Sequence, residues 1–570
     1  MKSPKLVFLS MFFCLAGLSN STNSQAQNFQ WAIGMGASGI DYGMSIAVDA
    51  AGNVYTVGYF QGTVDFDPGA GVHNLTAVGP YDVFISKLDA SGAFVWAKQM
   101  GGAAGSIGTS IALDAAGNIY TTGYFFGVGD FDPGAGVHNL TSAGNNDIFV
   151  SKLDASGNFV WAKNMGGTGD ERAYSIAVDM AGNVYTTGYF KSTSDFDPGA
   201  GTYNLTPLGG EDIFVSKLDP SGNFVWADGM DGTNDERGWA VAVDAVGNVY
   251  TTGTFYGTVD FDPGVGVNNL VSAGSNDMFI TKLNTSGALV WAKRIGGAAG
   301  DEIGRAIAID GGNVYTTGEF NGTVDFDPGA GVFNLTSAGN ADMFVSKLDT
   351  SGTFIWAKSI GGISTDAGYG IAVDGAGNVY TTGRFSDTVD FDPGAGTFHL
   401  MSAGLDDIFV SKLDASGNFV WAGRMGGTSI DEGNSIAVDA GGGCVYATGD
   451  FVSTPADFDP GTSVFNLTSA GSADIFVLKL CSASLNIEES CIKAPSVTVF
   501  PNPSHGFFSI KSETKISNID IVNVLGEKIY SNKVNANEIE LELNKEAKGI
   551  YFMRITYSDK SVINKKIIIQ

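Results

Sequence analysis

Cysteine is nearly absent from this chain of 570 residues, which has only Cys14, Cys444, Cys481 and Cys491. That scarcity excludes a dense disulfide scaffold. Histidine is as rare, with His73, His138, His399 and His505. None sits in a metal-binding pair or beside a nucleophile motif, and GxSxG, HExxH and P-loop patterns are missing. Positive charge is short as well, with 31 Lys and Arg against 60 Asp and Glu and a net charge of −29. The imbalance is local. Residues 27–481 hold 18 basic and 50 acidic groups, net −32, whereas residues 497–570 hold 10 and 8. Such a surface repels nucleic acid and anionic lipid, because phosphate binding needs clustered Lys and Arg. It suits divalent cations, or simple solubility. Beyond the amino terminus no apolar run approaches the length of a membrane span.

What is present at the start reads as an export signal. Lys2 and Lys5 precede the apolar run 6–18, and Ser24-Gln25-Ala26 has the small-x-small form of a cleavage site, so cleavage is expected after Ala26. The mature chain then enters a compartment that permits disulfides.

The dominant feature is a period of 65 residues. Trp31, Trp96, Trp161, Trp226, Trp291, Trp356 and Trp421 mark it, each within a run of the FVWA type. Self-similarity at a fixed period indicates a repeat architecture. Each unit has four strand-like runs, in the first copy 45–50, 53–60, 82–89 and 93–100, rich in Val, Ile, Phe, Tyr and Thr. Asp49-Ala-Ala-Gly-Asn53 and Asp89-Ala-Ser-Gly-Ala93 are tight turns with Gly at the strained position. The pattern predicts an all-β fold, a seven-bladed β-propeller, over residues 27–481. Slim first strands (Ile46, Ala47, Val48) fit the axis, and bulky fourth strands (Phe94, Val95, Trp96) fit the rim. The seven Trp are expected to pack between blades, with carbohydrate stacking the rival role. Trp239 lies outside the periodic set.

The seventh copy, 436–451 and 474–480, lacks its own FVWA, and the chain begins with Phe29-Gln30-Trp31-Ala32. Residues 28–35 are therefore expected to complete the seventh blade and close the ring, removing exposed sheet edges. In six copies the second strand starts with Asn and the third ends with Asp or Asn. In the seventh these positions become Cys444 and Cys481. Antiparallel pairing favours a Cys444–Cys481 disulfide, with Cys481–Cys491 as the rival.

Two links are acidic, and both are expected on the face opposite the tight turns. The link between blades carries Asp41, Glu171, Glu236, Asp301, Asp366 and Asp431 at matching offsets, with Ser106 the exception. The long link between strands two and three carries Asp-Phe-Asp-Pro-Gly in every copy. The pairs are Asp65 and Asp67, Asp130 and Asp132, Asp195 and Asp197, Asp260 and Asp262, Asp325 and Asp327, Asp390 and Asp392, and Asp457 and Asp459. Such pairs suit a capped turn. They also suit a calcium loop, although a third spaced oxygen ligand and a terminal Glu are missing. Asn-Leu-Thr in the same link, at Asn74, Asn139, Asn204, Asn334 and Asn466, is a formal glycosylation acceptor. A turn-stabilising bond from each Asn to backbone is the expected role. No catalytic residue is assigned, because carboxylates repeated in every unit suggest scaffold rather than one active centre.

After a linker at 482–496 the composition changes. Val499-Phe-Pro-Asn-Pro-Ser-His-Gly506, the run NVLGEKIY, the run GIYFMRI at 549–555 and the Lys-rich end at 565–570 read as a small β-sandwich over 497–570. These residues resemble the carboxy-terminal sorting domain of type IX secretion cargo in Bacteroidota. That resemblance implies partnership with the type IX machinery and a secreted or outer-surface destination. Separately, AVDAAGNVYTTGYF and KLDASGNFVWAK resemble the bacterial seven-bladed propeller repeat family, SBBP, which implies a fold and little about function. Three functions follow as expectations. The first is a non-enzymatic binding or adhesion propeller for calcium, a glycan or a protein. The second is a glycosidase or lyase on a propeller scaffold. The third is a purely structural surface protein.

Overall fold

The computed structural model describes residues 27–439, 441–482, 496–558 and 561–570. The expected signal 1–26, most of the linker and Cys491 lie outside these residues. All described secondary structure is β, with no helix among the described residues. The chain divides into two compact units, Met1–Ala483 and Ser484–Gln570.

In the first unit every repeat builds the same antiparallel sheet. In the first repeat Tyr42–Val48, Val54–Phe60, Asp82–Leu88 and Phe94–Met100 pair in that order. The tight turns explain this order. Asp49 Oδ1 accepts from the amides of Ala51 and Asn53, and its Oδ2 accepts from the Asn53 side chain and the Tyr55 hydroxyl. Gly52 supplies the left-handed residue, φ 81°. The second and third strands are almost wholly buried, as expected for strands covered on both faces.

In the seventh repeat Asp431–Val438, Cys444–Phe451 and Asp474–Ser482 pair in order, and the fourth place is taken by Gln27–Met35. Trp31 stands opposite Lys479, and Met35 opposite Ile475. Cys444 faces Cys481 in the register, with Cα atoms 4.0 Å apart, and the two form a disulfide.

Neighbouring repeats meet in three ways. The first strands pack side by side, each against that of the next repeat, and that of the seventh against that of the first. Ser hydroxyls bridge several of these strands, including Ser435 Oγ, which accepts from Ile46 N at 3.3 Å. Each hydrophobic cluster draws on two adjacent repeats, such as Ile148, Val150 and Trp161 with Ile176, Phe190 and Phe214. Further out, Trp161 Nε1 donates to Pro220 O in the next repeat, and Trp226, Trp291 and Trp356 do the same one repeat on. These Trp are packing residues between sheets.

The fixed 65-residue offset slips in the fifth repeat. An extra residue precedes its first strand, Glu302–Asp310, and one is missing from the turn Asp310-Gly-Gly-Asn313. The buried link carboxylate there is Glu302, not Asp301.

The second unit is all-β, five antiparallel strands joined by hydrogen bonds. Its Phe507–Asn523 strand is long and has register shifts between Lys511 and Asn518, so it pairs with Val497–Phe500, Lys528–Glu542 and Gly549–Tyr557. The bent sheet wraps its own core of Phe508, Ile519, Ile521, Met553, Ile555 and Ile567.

Candidate functional site

The Asp-Phe-Asp-Pro-Gly pairs make turns. Asp65 Oδ1 accepts from Asp67 N at 3.0 Å and His73 N at 2.8 Å, and Asp67 Oδ1 accepts from Gly69 N at 2.8 Å. The same bonds recur at Asp130 and Asp132, Asp195 and Asp197, Asp260 and Asp262, Asp325 and Asp327, Asp390 and Asp392, and Asp457 and Asp459. Asx bonds of this kind fix a loop without a metal. Among the described residues no group of three or more His, Cys, Asp and Glu side chains is placed to hold a metal ion.

Their position also differs from expectation. The link begins opposite the tight turns, where Asp130 bridges to Gly101 at the end of the preceding fourth strand. Its apex then folds back along the outer edge. Asp67–Gly71 lie beside Trp31 and Ile33 of the neighbouring sheet and the Ser91-Gly92 turn. A single acidic face is thus not what the long links build. Asn74, Asn139, Asn204, Asn334 and Asn466 are exposed on this outer hairpin, and their side chains make no backbone bond, contrary to the turn role expected of them.

The link carboxylates are buried rather than displayed. Asp41, Glu171, Glu236, Glu302, Asp366 and Asp431 are at most 1% exposed. Most cap their own link. Asp431, for example, accepts from Gly427 N, Val452 N and Ser453 N. A buried group cannot recruit a partner from solution.

The site that stands out was only partly legible in the sequence. A cavity of ≈ 470 Å³ lies where all the first strands converge. One position of the repeat projects there and varies widely between copies: Met44, Thr109, Tyr174, Trp239, Arg305, Tyr369 and Asn434. A second-strand position, paired with the residue two before it, varies too, including Tyr59, Tyr124, Tyr189, Glu319, Arg384 and Asp450. Trp239 was the one signal, an aromatic outside the period. The other positions emerge only by asking where near-identical repeats disagree.

Planar groups alternate around this mouth. Tyr174 stacks on Trp239 with centroids 4.5 Å apart. The Arg305 guanidinium lies 5.0 Å from the Trp239 ring and 5.7 Å from Tyr369, and Arg384 lies 5.9 Å from Tyr369. Arg172 lies 4.6 Å from Tyr124, and Arg237 5.6 Å from Tyr189. Four of the six Arg in residues 27–481 gather here. Each is also paired: Arg172 with Asp170, Arg237 with Glu211, Arg305 with Glu319 at 2.7 Å, and Arg384 with Glu432 at 2.6 Å. Pairing fixes the orientation of the guanidinium planes. Trp239 Nε1, Arg305 Nε and Arg384 Nε have no partner in the protein. Burial, with the charges of Asp450 and Glu432 adding to it, pushes Tyr42 up to about 12, and burial pushes Tyr174 to about 12 as well, so both phenols remain donors at neutral pH. Burial, then Glu432, also raises Asp450, which accepts from Asn434 Nδ2 at 3.0 Å.

Fold and repeat together point to a class, the β-propeller-repeat proteins. Family models place the chain further. The secretion system C-terminal sorting domain matches residues 498–570, and the β-propeller repeat SBBP matches residues 95–124 and 355–384. The chain therefore carries SBBP repeats and a type IX sorting tail, a combination consistent with a Bacteroidota protein, and the tail directs it to the cell surface or the medium. An uncharacterized WD repeat-containing protein of Acanthamoeba polyphaga mimivirus is 25% identical over 510 residues, 75% of this chain and 36% of its own length. Regulatory protein FlaEY of Caulobacter vibrioides is 24% identical over 451 residues, 75% and 45% respectively. An endo-acting ulvan lyase of Formosa agariphila is 32% identical over 89 residues, 15% and 17%. The chain spans less than half the length of these curated relatives. Among solved structures, PorZ, a bacterial surface component of the type IX system of Porphyromonas gingivalis, is 13% identical, covering 94% of this chain and 99% of that one at a TM-score of 0.15. The extracellular domain of a one component system of B. thetaiotaomicron is 13% identical, covering 92% and 79% at 0.21. Scores this low add nothing to the reading of fold or site.

Proposed function

We propose that residues 27–482 form a seven-bladed propeller sealed by the strand Gln27–Met35, and that it acts outside the cell as a non-enzymatic glycan-binding protein. Support for the ring is the packing of the seventh first strand against the first, together with the Ser435–Ile46 and Lys479–Ala90 bonds across the seam. The observation that carries the function is the mouth. Near-identical units differ there in kind, and the differing residues include Tyr, Trp, Arg, Glu, Asp and Asn beside Met44 and Thr109. Aromatic edges and paired planar ions present fixed donors and acceptors side by side, which suits hydroxyl-rich ligands. The ring of ion pairs has no net positive charge to favour a polyanion. A cavity of ≈ 470 Å³ accommodates one or two sugar rings. Export through the sorting tail gives such a site access to extracellular polysaccharide. The mouth is lined by no histidine, and its carboxylates Asp170, Glu211, Glu319 and Glu432 are tied up in ion pairs with Arg172, Arg237, Arg305 and Arg384, which supports binding over turnover.

The test is a glycan array followed by calorimetric titration of the full mature chain. Arg305→Ala and Trp239→Ala are each expected to weaken binding of the best neutral glycan at least about 10-fold, about 1.4 kcal/mol. Asp65→Asn with Asp67→Asn on the outer edge should leave it unchanged. Binding abolished by the outer-edge changes and indifferent to the mouth would overturn the assignment.

A further inference from the structure

A second set of groups repeats between the sheets, and the mouth does not use it. At the start of each third strand stands a buried Asp: Asp82, Asp147, Asp212, Asp277, Asp342, Asp407 and Asp474. One oxygen of each accepts a backbone amide four residues upstream, as Ala403 N donates to Asp407 Oδ2 at 2.8 Å. The other oxygen, Oδ1, has no partner in any of the seven. At six junctions the neighbour is the buried link carboxylate. A Cβ built on Gly426 would lie 2.7 Å from Asp407 Oδ1 and 2.9 Å from Asp431 Oδ2, so a side chain of minimal size is already excluded between the two acids. The seventh junction has Ser106 instead.

The junction between the third and fourth repeats is the extreme case. At four other junctions the fourth strand offers a donor to the Asp: Gln99 to Asp82, Arg294 to Asp277, Ser359 to Asp342 and Arg424 to Asp407. Here that position is Gly229, and Asp231 replaces the neighbouring glycine. Asp212 Oδ1, Asp231 Oδ1 and both oxygens of Glu236 are buried without a partner. The other charges around them are Asp235 on the link and Asp260 on the next hairpin, with Glu211 held by Lys191 and Arg237 toward the mouth.

We propose that Asp212 and Glu236 share one proton as a hydrogen-bonded carboxyl–carboxylate pair, so that acid tightens the junction between the third and fourth repeats. Two bare carboxylates in contact inside a dry interface repel each other, and one proton turns that contact into a strong hydrogen bond. Burial first, then the partner acid, pushes Glu236 up to about 9 and Asp147 to about 6, and burial raises Glu302 to about 8 and Asp366 to about 7. In the unfolded chain these groups titrate near 4. The folded state therefore binds more protons between about pH 4 and about pH 9, and stability is full at the acid end and lost as pH rises.

Thermal unfolding of the full mature chain, with chelator present, tests this between pH 5 and pH 9. The unfolding constant should rise with pH, by up to about 10-fold per unit for each pair titrating. In Glu236→Gln the amide donates to Asp212 without titrating. The slope should flatten by one proton, and the variant should equal or exceed the parent at pH 9. Infrared spectroscopy of the unmodified chain should show protonated carboxyl absorption persisting at pH 7. A parent whose stability is flat or rising over this range, or one with no such absorption at pH 7, would sink the proposal even if the variant fails to fold.

Discussion

At the residue scale the chain uses a few chemical devices many times over. Asp caps a turn at Asp49, at Asp65 and at Asp89, each time by accepting amides two to eight residues away. Those roles were readable, because Asp before a Gly-containing turn has few alternatives. The Trp roles were readable in kind but not in partner. Gly222 shows what the partner demands: its φ is 77°, and a Cβ there would lie 3.0 Å from the Trp161 ring. Gly222→Ala should destabilise the repeat unit by about 1–3 kcal/mol through left-handed strain and collision. Chemical denaturation would measure it, and a loss below about 0.5 kcal/mol would show the Trp–turn contact to be loose. The calcium reading of the Asp pairs came from their spacing in an Asp- and Gly-rich link. Composition cannot show that one oxygen of each of these Asp already accepts backbone amides of its own turn.

At the element scale the seam is the informative place. The Gln27–Met35 strand covers an edge that the Asp474–Ser482 strand would otherwise leave open. Deleting residues 27–35 should produce aggregation or a lower midpoint, since an unpaired apolar edge is sticky. Size-exclusion chromatography and a thermal scan would report it, and a synthetic peptide of residues 27–35 should restore part of the loss. A deletion with no effect on either would remove the support for a sealed ring. The Cys444–Cys481 bond, 37 residues apart in sequence, acts on the same sheet. In the chain-entropy picture a loop of that length stabilises by about 4 kcal/mol at most. Cys444→Ser together with Cys481→Ser should therefore lower the midpoint, and mild reduction of the parent should reproduce the shift. The fixed period located both elements. It failed at the fifth repeat, where one inserted and one deleted residue cancel in length and move the buried acid from position 301 to 302.

At the scale of the whole molecule the two units have separate cores, since the cluster around Ile519 and Met553 contains no residue before Val497. Truncation after residue 482 should leave the repeat unit's midpoint unchanged within about 2 °C, as expected for independent domains. A large fall in calorimetry would show hidden coupling. The distribution of charge also belongs to this scale. A net −32 over the repeats looks like a cation-attracting surface in a list of residues, yet many of those acids are buried at the junctions or engaged in turns. The sequence by itself determined the period, the all-β character, the four-strand unit and the export tail, because each follows from local spacing that recurs along the chain. Tertiary structure decided where the acids point and which variable residues meet. Convergence at the mouth joins positions 65 residues apart, and no local pattern encodes a meeting that depends on how seven separate sheets pack against one another.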